Sequence, residues 1–282
     1  MRSQSASLHH DDYNRYGRQT ILNGIGLPGQ LRLRNASVVV VGAGGLGCPA
    51  LQYLAAAGVG RLNIIDHDIV ELSNLQRQIL HTEARVGMHK AVIAAKLLYS
   101  INSRISVSAI TTAFTASNAL SLLSGYDLIL DCTGNLPRAT SSPTPPCASA
   151  ASSSAAPRST STASCARTTS ALGPCFRCLF PKPALELAGS CEELGVLGAV
   201  TSGVAKLQAL EVVKIITGLH DKKPTMLMYS ALSTPPFRSV RLRSRRPTCH
   251  ACGNEREKED IIEEMNYVHS AGVHAQIGSA EA

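Results

Sequence analysis

The chain has 282 residues, of which 44% are hydrophobic and only 4% aromatic, and it carries a net charge of +7 with no tryptophan. This composition is sufficient for a core in which small side chains pack helices on a sheet. No run of 18 apolar residues and no signal-peptide pattern occurs, so we expect a cytoplasmic protein that does not span a membrane. Nine cysteines in that reducing compartment indicate metal binding or catalysis more than disulfides.

The first folded unit follows an N-terminal segment, residues 1–12, that we expect to be disordered. Residues 13–31 are compatible with helices interrupted by glycine and proline. Four valines from Val38 then predict a strand. The glycines of the G-x-G-x-x-G motif directly after it are Gly42, Gly44 and Gly47. A small-residue helix and a second apolar strand ending at Asp66 complete a unit that is typical of nucleotide binding.

Helices and strands continue to alternate after this unit. The predicted elements are a helix over residues 90–99, a strand over 105–110, a helix over 116–123 and a strand over 126–131. This alternation predicts an α/β fold with a doubly wound, Rossmann-like, mostly parallel sheet. The second half of the chain predicts a helix over residues 196–218, strands over 226–229 and 237–242, and a charged helix or tail over 255–264.

Residues 138–171 break this pattern. All 34 are Ser, Thr, Ala or Pro except three arginines and two cysteines. Such a segment cannot bury enough apolar surface to offset the entropy lost on ordering it. We therefore expect a disordered loop there, and a sheet that is incomplete around residues 138–171.

The glycine motif alone also fits a dehydrogenase. Its N–H groups would meet phosphates at a helix N-terminus, and Asp66 lies where a ribose-binding acid is expected. The polar loop beyond that acid is formed by Ser73, Asn74, Leu75, Gln76 and Arg77. Together with Lys90, this loop places two cations near one nucleotide, which favours displacement at phosphorus over hydride transfer. A solvated surface loop would have the same composition.

Four of the nine cysteines form two C-x-x-C pairs. These are Cys175 with Cys178 and Cys249 with Cys252. Two such pairs predict one closed, structural Cys₄ site that favours zinc over an iron–sulfur cluster, whereas one pair alone would also fit a redox site. His250 is an alternative ligand. Cys191 lies in a polar segment and is a candidate nucleophile, and we expect Cys48 and Cys132 to be buried and structural.

These motifs together resemble the ubiquitin-activating-like adenylyltransferases. The resemblance is carried by GAGGLGCPALQYLAAAGVGRL, DHDIVELSNLQRQILH, VGMHK, DLILDCT, GPCFRCLFPKP, GVLG and RPTCHACG. The sequence is most similar to the eukaryotic members that act on molybdopterin synthase and the ubiquitin-related modifier, and it also resembles bacterial enzymes of molybdopterin and thiamine biosynthesis. The resemblance implies an adenylation domain over residues 13–253, followed by a charged tail over 254–282.

The resemblance implies ATP-dependent adenylation of the C-terminal glycine of a ubiquitin-fold sulfur-carrier protein. This reaction would serve molybdenum cofactor biosynthesis and 2-thiolation of the tRNA wobble uridine, with a cysteine desulfurase as sulfur donor. The implied ligands are ATP, Mg²⁺ and Zn²⁺. The positions that match the family's nucleotide-binding residues are Gly45, Asp66, Ser73, Asn74, Leu75, Gln76, Arg77, Lys90, Gly134 and Asn135.

Further roles follow from matched positions. Arg18 matches an arginine that reaches into the neighbouring subunit's site, so a homodimer is implied. Cys191 matches the cysteine that forms a thioester or an acyl disulfide. The implied catalytic set is Cys191, Arg18, Arg77 and Lys90, and the four cysteines of the C-x-x-C pairs match the zinc ligands.

Three departures from the family pattern bear on activity. Gly134 stands where an acid is expected to hold Mg²⁺, and losing that ligand should impair catalysis. The Ser-, Thr-, Ala- and Pro-rich segment replaces a helix and strands over about the same span, which indicates a frame error or a decayed gene. No rhodanese domain follows Cys252, so we expect no sulfur transfer by that route.

Other functions remain open from the sequence. A catalytically impaired relative would only bind the carrier or dimerise, which Gly134 and the altered segment favour. An NAD-dependent oxidoreductase would retain the glycine motif but would not explain the polar loop or the cysteine pairs. Direct nucleic-acid binding is not expected, because the five arginines of residues 237–246 also fit a solvated strand face.

Overall fold

A parallel β-sheet lies at the centre of the computed structural model, which describes residues 7–133, 147–149, 162–166, 174, 176–179, 196–220, 223 and 225–249. Five strands form this sheet, and three more form a smaller antiparallel sheet. The predicted α/β fold with a mostly parallel sheet is confirmed. No helix within these ranges is both long and apolar enough to cross a membrane.

The predicted helices and strands occur in the predicted order, with three unpredicted elements at residues 147–149, 162–166 and 176–179. The expected disorder of residues 1–12 is wrong for residues 10–12, because the first helix begins at His10 and buries Asp12. The helices are α1 His10–Thr20, α2 Gly26–Asn35, α3 Gly47–Ala57, α4 Lys90–Ile101, α5 Ala116–Leu123, α6 Phe176–Leu179 and α7 Gly198–Thr217. The strands are β1 Ser37–Val41, β2 Arg61–Ile65, β3 Ser106–Ile110, β4 Leu128–Asp131, β5 Cys147–Ser149, β6 Thr162–Ala166, β7 Thr225–Ser230 and β8 Phe237–Arg241. Short 3₁₀ turns occupy Leu72–Asn74 and Glu83–Arg85.

The valine run of β1 supplies both faces of the sheet, because successive side chains of a strand point in opposite directions. Val38 and Val40 belong to the core that includes residues of α3, α4 and α7. Val39 and Val41 belong to a second core that includes residues of α5. Helices therefore cover both faces, as in a doubly wound sheet, and a continuous apolar run is what such a strand requires.

The strand order of the parallel sheet creates a crevice at one edge. The order is β3-β2-β1-β4-β5, so the chain moves outward from β1 and then returns to place β4 on its other side. Ligands of open α/β sheets bind at the carboxyl ends of the strands where the order reverses. The glycine-rich loop follows β1 and Asp131 ends β4, so both lie at this crevice.

Two strands come from the segment of residues 138–171. Strand β5 pairs in parallel with β4, and β6 pairs in antiparallel fashion with β7. The expectation of a disordered loop and an incomplete sheet is wrong for these two stretches, because main-chain hydrogen bonds to an existing strand edge require no apolar side chain. The rest of that segment lies outside the described residues, as does the predicted charged element over 255–264.

Helix α1 packs at the opposite, amino edge of the sheet. The Tyr16 hydroxyl accepts a hydrogen bond from Asn102 Nδ2 at 2.8 Å, and Gln19 Nε2 donates to the Ala57 carbonyl at 3.1 Å. Ala57 ends α3 and Asn102 follows α4, so both partners lie at the helix ends remote from the glycine-rich loop. Helix α3 alone separates the two edges by about 16 Å.

Candidate functional site

The glycine-rich loop, residues 42–47, joins β1 to the N-terminus of α3. A Cβ on Gly47 would overlap the carbonyl oxygen of Gly42, so only glycine permits this turn. Within the described residues, the N–H groups of Gly44 and Gly45 have no hydrogen-bond acceptor. Such N–H groups at the start of a helix of 11 residues, together with the helix dipole, form a site suited to phosphate.

Asp66 connects this loop to the loop that follows β2. Its Oδ2 accepts a hydrogen bond from the Ala43 N–H at 2.6 Å, and its Oδ1 accepts one from the Asp68 N–H at 2.9 Å. The residue is 9% exposed. Each carboxylate oxygen can accept more than one hydrogen bond, so Asp66 can bind a ribose hydroxyl while it holds the loop.

Arg77 lies against the glycine-rich loop. A Cβ on Gly45 would be 3.3 Å from Arg77 Cγ, which places the arginine stem beside the unpaired amides. Its Nη2 donates to Asn74 Oδ1 at 2.8 Å and its Nη1 to the Ser73 carbonyl at 3.3 Å. Asn74 Nδ2 in turn donates to Glu71 Oε2 at 3.0 Å. The polar loop therefore orients its own arginine beside the amides of the glycine-rich loop.

Helix α7 supports the same loop. A Cβ on Gly198, the first residue of α7, would overlap the Gln76 carbonyl oxygen and would lie 3.0 Å from Arg77 Cα. Leu75 is partly buried and the Gln76 side chain is exposed. In this structure Gln76 contributes its main chain to the packing of the loop.

Lys90 is the first residue of α4, and its side chain is only 7% exposed. Its Nζ is 2.9 Å from Asp68 Oδ2, and the Asp68 side chain is 51% exposed. Asp68 is itself bonded to Asp66 through its N–H. The structure thus brings the predicted residues Asp66, Arg77 and Lys90 together with Gly45 at the carboxyl edge of the sheet.

His81, which the sequence analysis did not single out, holds the other side of the loop. Its Nε2 is 3.1 Å from the Ala43 carbonyl oxygen, to which Cys48 Sγ also donates at 3.1 Å. Burial raises the pKa of Cys48 to about 12, so its thiol remains protonated and can donate. Burial also lowers the pKa of His81. The only sequence signal for His81 is its place just beyond the polar loop.

Gln78 is a second residue that sequence reasoning missed. It is 3% exposed, and its amide nitrogen would be 3.8 Å from a Cβ on Gly44. Its Oε1 has no hydrogen-bond partner among the described residues. A buried amide in this position adds polar lining to the glycine-rich loop.

The end of β4 forms the other wall of the crevice. Asp131 is 8% exposed, and its Oδ1 accepts hydrogen bonds from the Thr133 N–H at 3.0 Å and the Thr133 hydroxyl at 2.9 Å. Gln208 of α7 donates to the Asp131 carbonyl at 3.4 Å. Gly134 and Asn135 lie outside the described residues, so their predicted roles stay predictions.

Arg18 is not brought to this site within one chain. It is exposed and belongs to the last turn of α1, which packs at the amino edge of the sheet. The length of α3 separates that edge from the glycine-rich loop. A catalytic role for Arg18 therefore requires a second chain.

The predicted zinc ligands are only partly described. Cys178 and Cys249 are buried, with 4% and 9% exposure, which suits thiolate ligands of a closed site. Cys175, Cys252 and the alternative ligand His250 lie outside the described residues, as does Cys191. The Cys₄ site and the nucleophile therefore stay predictions, whereas the predicted burial of the two structural cysteines, Cys48 and Cys132, is confirmed.

Comparison with known proteins identifies the family. The model of the ThiF family matches residues 16–251. The chain belongs to the ThiF family. The expected resemblance to ubiquitin-activating-like adenylyltransferases is thereby confirmed at the level of the family.

ThiF-family relatives match most of this chain but only part of their own length. The chain is 42% identical over 294 residues to the adenylyltransferase and sulfurtransferase MOCS3 of Drosophila yakuba, covering 97% of this chain and 60% of that protein. It is 44% identical over 265 residues to the adenylyltransferase and sulfurtransferase MOCS3 of Bos taurus, covering 91% of this chain and 56% of that protein. It is 42% identical over 270 residues to the adenylyltransferase and sulfurtransferase uba4 of Aspergillus terreus, covering 89% of this chain and 54% of that protein.

Solved structures show the same fold at lower identity. The crystal structure of E. coli MccB with ATP superimposes with a TM-score of 0.70 at 22% identity, covering 88% of this chain and 75% of that one. The microcin C7 biosynthetic enzyme MccB in complex with N-formylated MccA gives a TM-score of 0.69 at 24% identity, covering 86% and 76%. These likenesses establish a shared ThiF-type fold.

The lowered pKa of His81 predicts a pH-dependent stability. Burial is its main cause. The positive charges of Lys90 and Arg85 act in the same direction, whereas the Ala43 hydrogen bond and the charge of Asp66 oppose it. Between the lowered pKa of folded His81 and the ordinary value of 6.5, the unfolded chain binds a proton that the folded chain does not. The free energy of unfolding should therefore fall as pH decreases through this window.

We expect urea unfolding from about pH 7.5 to about pH 5 to show a smaller loss of stability in His81→Gln than in the wild type. His10→Gln removes an exposed histidine and should follow the wild type. Parallel pH profiles for His81→Gln and the wild type would contradict a buried neutral imidazole.

Proposed function

We propose that this chain binds ATP at the glycine-rich loop and transfers AMP to the C-terminal glycine carboxylate of a ubiquitin-fold sulfur-carrier protein. The observation that carries the proposal is the position of Arg77 beside N–H groups at the start of α3 that have no acceptor in the part of the chain that the structure describes. Amide groups, guanidinium and ammonium together match the charge of a polyphosphate. The names of the relatives, adenylyltransferase and sulfurtransferase, support the same reaction.

The reaction needs positive charge more than proton transfer. An oxygen of the carrier carboxylate attacks the α-phosphorus, the bond from that phosphorus to the bridging oxygen of the β-phosphate breaks, and pyrophosphate leaves with the electron pair. The nucleophile is already deprotonated at neutral pH, so no general base is required. Arg77, Lys90 and the loop amides would stabilise the charge that develops on the α-phosphate and the leaving group.

Lys90 would change partners when ATP binds. In this structure its ammonium group is paired with Asp68, whose side chain is half exposed. A pair with one half-exposed partner is weakened by solvent, so a phosphate oxygen can compete for the ammonium group. Asp68 thus orients the nearly buried ammonium group until substrate arrives.

Mg²⁺ would enter with the phosphates and neutralise part of their charge. Gly134 has no side-chain oxygen to offer such an ion. We infer that Arg77, Lys90 and the amides carry a larger share of phosphate binding than in family members with an acid at this position. A catalytically impaired relative that binds the carrier without adenylating it is the alternative that Gly134 favours.

The remaining roles follow the family. Arg18 would complete the site of a second copy of this chain, because it cannot reach its own. Cys178 and Cys249, with Cys175 and Cys252, would hold one structural Zn²⁺. Cys191 would form the thioester or acyl disulfide with the activated carrier. The product would serve molybdenum cofactor synthesis and tRNA wobble-uridine thiolation in the cytoplasm, with sulfur supplied by a cysteine desulfurase.

ATP–pyrophosphate exchange with a ubiquitin-fold carrier ending in Gly-Gly tests the activity. We expect carrier-dependent exchange in the wild type, a decrease of about 100-fold in Arg77→Ala and Lys90→Ala, and an increase in Gly134→Asp. Lys96→Ala removes an exposed lysine from the same helix as Lys90 and should leave the rate unchanged. Absence of exchange in both the wild type and Gly134→Asp would rule out adenylation and leave a binding protein.

Complementation tests the role of Arg18 across subunits. Arg18→Ala and Arg77→Ala chains should each be inactive alone. In a randomly mixed population, half of the dimers are heterodimers with one intact site, so about a quarter of wild-type activity should return after subunit exchange. Lack of any recovery, with heterodimers isolated through a different affinity tag on each chain, would contradict a contribution from the second chain.

Metal analysis tests the zinc site. Wild-type protein should contain one zinc per chain, and Cys178→Ser and Cys249→Ser should lose it together with thermal stability. Cys48→Ser alters an equally buried cysteine outside the C-x-x-C pairs and should retain the metal. Full zinc content in either of the first two variants would refute the assigned ligands.

A further inference from the structure

The peptide groups on either side of Ala43 are held by three buried side chains. Its N–H donates to Asp66 at 2.6 Å, and its carbonyl oxygen lies 3.1 Å from both His81 Nε2 and Cys48 Sγ. None of the three side chains belongs to a residue more than 9% exposed. Ala43 therefore has a fixed main-chain orientation, although it lies in a glycine-rich loop that would otherwise be conformationally permissive.

The orientation of one carbonyl decides the direction of the next amide. In a trans peptide the C=O of one residue and the N–H of the next point in opposite directions. The Ala43 carbonyl points towards the buried side chains of His81 and Cys48, so the Gly44 N–H points away from them. That N–H has no acceptor among the described residues. Rotation of this peptide would turn the carbonyl outward and would present negative charge to a phosphate.

We propose that His81 is a positioning residue that fixes the Ala43 carbonyl and thereby directs the Gly44 N–H at a phosphate of the bound nucleotide. The proposal rests on the proposed function, because it names a further determinant of the same site. His81 touches neither nucleotide nor carrier and acts only through the Ala43–Gly44 peptide.

His81 contributes more to this arrangement than Cys48. An imidazole N–H is a stronger hydrogen-bond donor than a thiol. Because the Ala43 oxygen accepts from Nε2, the neutral ring carries its proton there, and Nδ1 has no partner among the described residues. Among the residues that the structure describes, the ring therefore has one hydrogen bond, which it donates to the Ala43 carbonyl of the glycine-rich loop. The charged groups that influence it are Lys90, Arg85 and Asp66.

Two substitutions separate positioning from packing. His81→Gln keeps an N–H donor at similar reach but fills the buried space less well, whereas His81→Leu fills it with apolar atoms and removes the donor. His10→Leu makes the same substitution at a side chain that is 87% exposed, and it controls for any general effect of replacing a histidine with leucine. Calorimetric titration of the full chain with MgATP and with pyrophosphate gives the affinities, and thermal unfolding gives the stability.

We expect His81→Leu to bind MgATP about tenfold more weakly than the wild type, and His81→Gln to retain affinity within about threefold. Pyrophosphate affinity should follow the same order, and His10→Leu should match the wild type. The reverse order, with His81→Leu equal to the wild type and His81→Gln weakened, would show a packing role and overturn the proposal.

Hydrogen exchange without nucleotide distinguishes this proposal from the proposed function. Amide exchange over residues 43–46 should be faster in His81→Leu than in the wild type and His81→Gln. Equal rates in all three proteins would overturn the positioning role. A folded wild type that binds neither MgATP nor pyrophosphate would end the proposed function and the phosphate role together, whereas wild-type binding with unchanged His81→Leu affinity would end only the role of His81.

Discussion

The hydrogen bond between the Ala43 N–H and the Asp66 carboxylate ties together the ends of the two neighbouring strands β1 and β2. A charge-assisted bond of this kind is strong when water is excluded, and Asp66 is almost buried. The same carboxylate accepts a hydrogen bond from the Asp68 N–H, and the Asp68 side chain accepts one from the Lys90 ammonium group. The glycine-rich loop and the nearest ammonium group therefore depend on one buried acid.

The positive side chains of the site are oriented before any ligand binds. Arg77 is held by a main-chain carbonyl and an amide of its own loop, and Lys90 is held by Asp68. Helix α7 fixes that loop through the contact of Gly198 with Gln76. Orientation in advance reduces the entropy lost on binding, which is the condition for electrostatic stabilisation of a transition state.

Within the described residues, the altered segment of the chain contributes to the edges of the two sheets and not to their centres. Residues 138–171 contribute β5 at one edge of the parallel sheet and β6 at one edge of the antiparallel sheet. The amides, the acid and the cations that would receive ATP come from the loops that follow β1 and β2 and from the first residue of α4. As far as the structure describes it, the altered segment therefore supplies none of the groups that we propose to bind phosphate.

The β1–α3–β2 unit, its glycine motif and the position of Asp66 could be predicted from the sequence, because these depend on short-range periodicity and on close backbone contacts within about 30 residues. The sequence did not predict that His81 holds Ala43, that Gly198 supports the polar loop or that residues 147–149 and 162–166 form strands. Each of these depends on how distant elements pack, or on an existing strand edge whose main chain can pair with any sequence. Hydrophobic periodicity carries no information about such contacts.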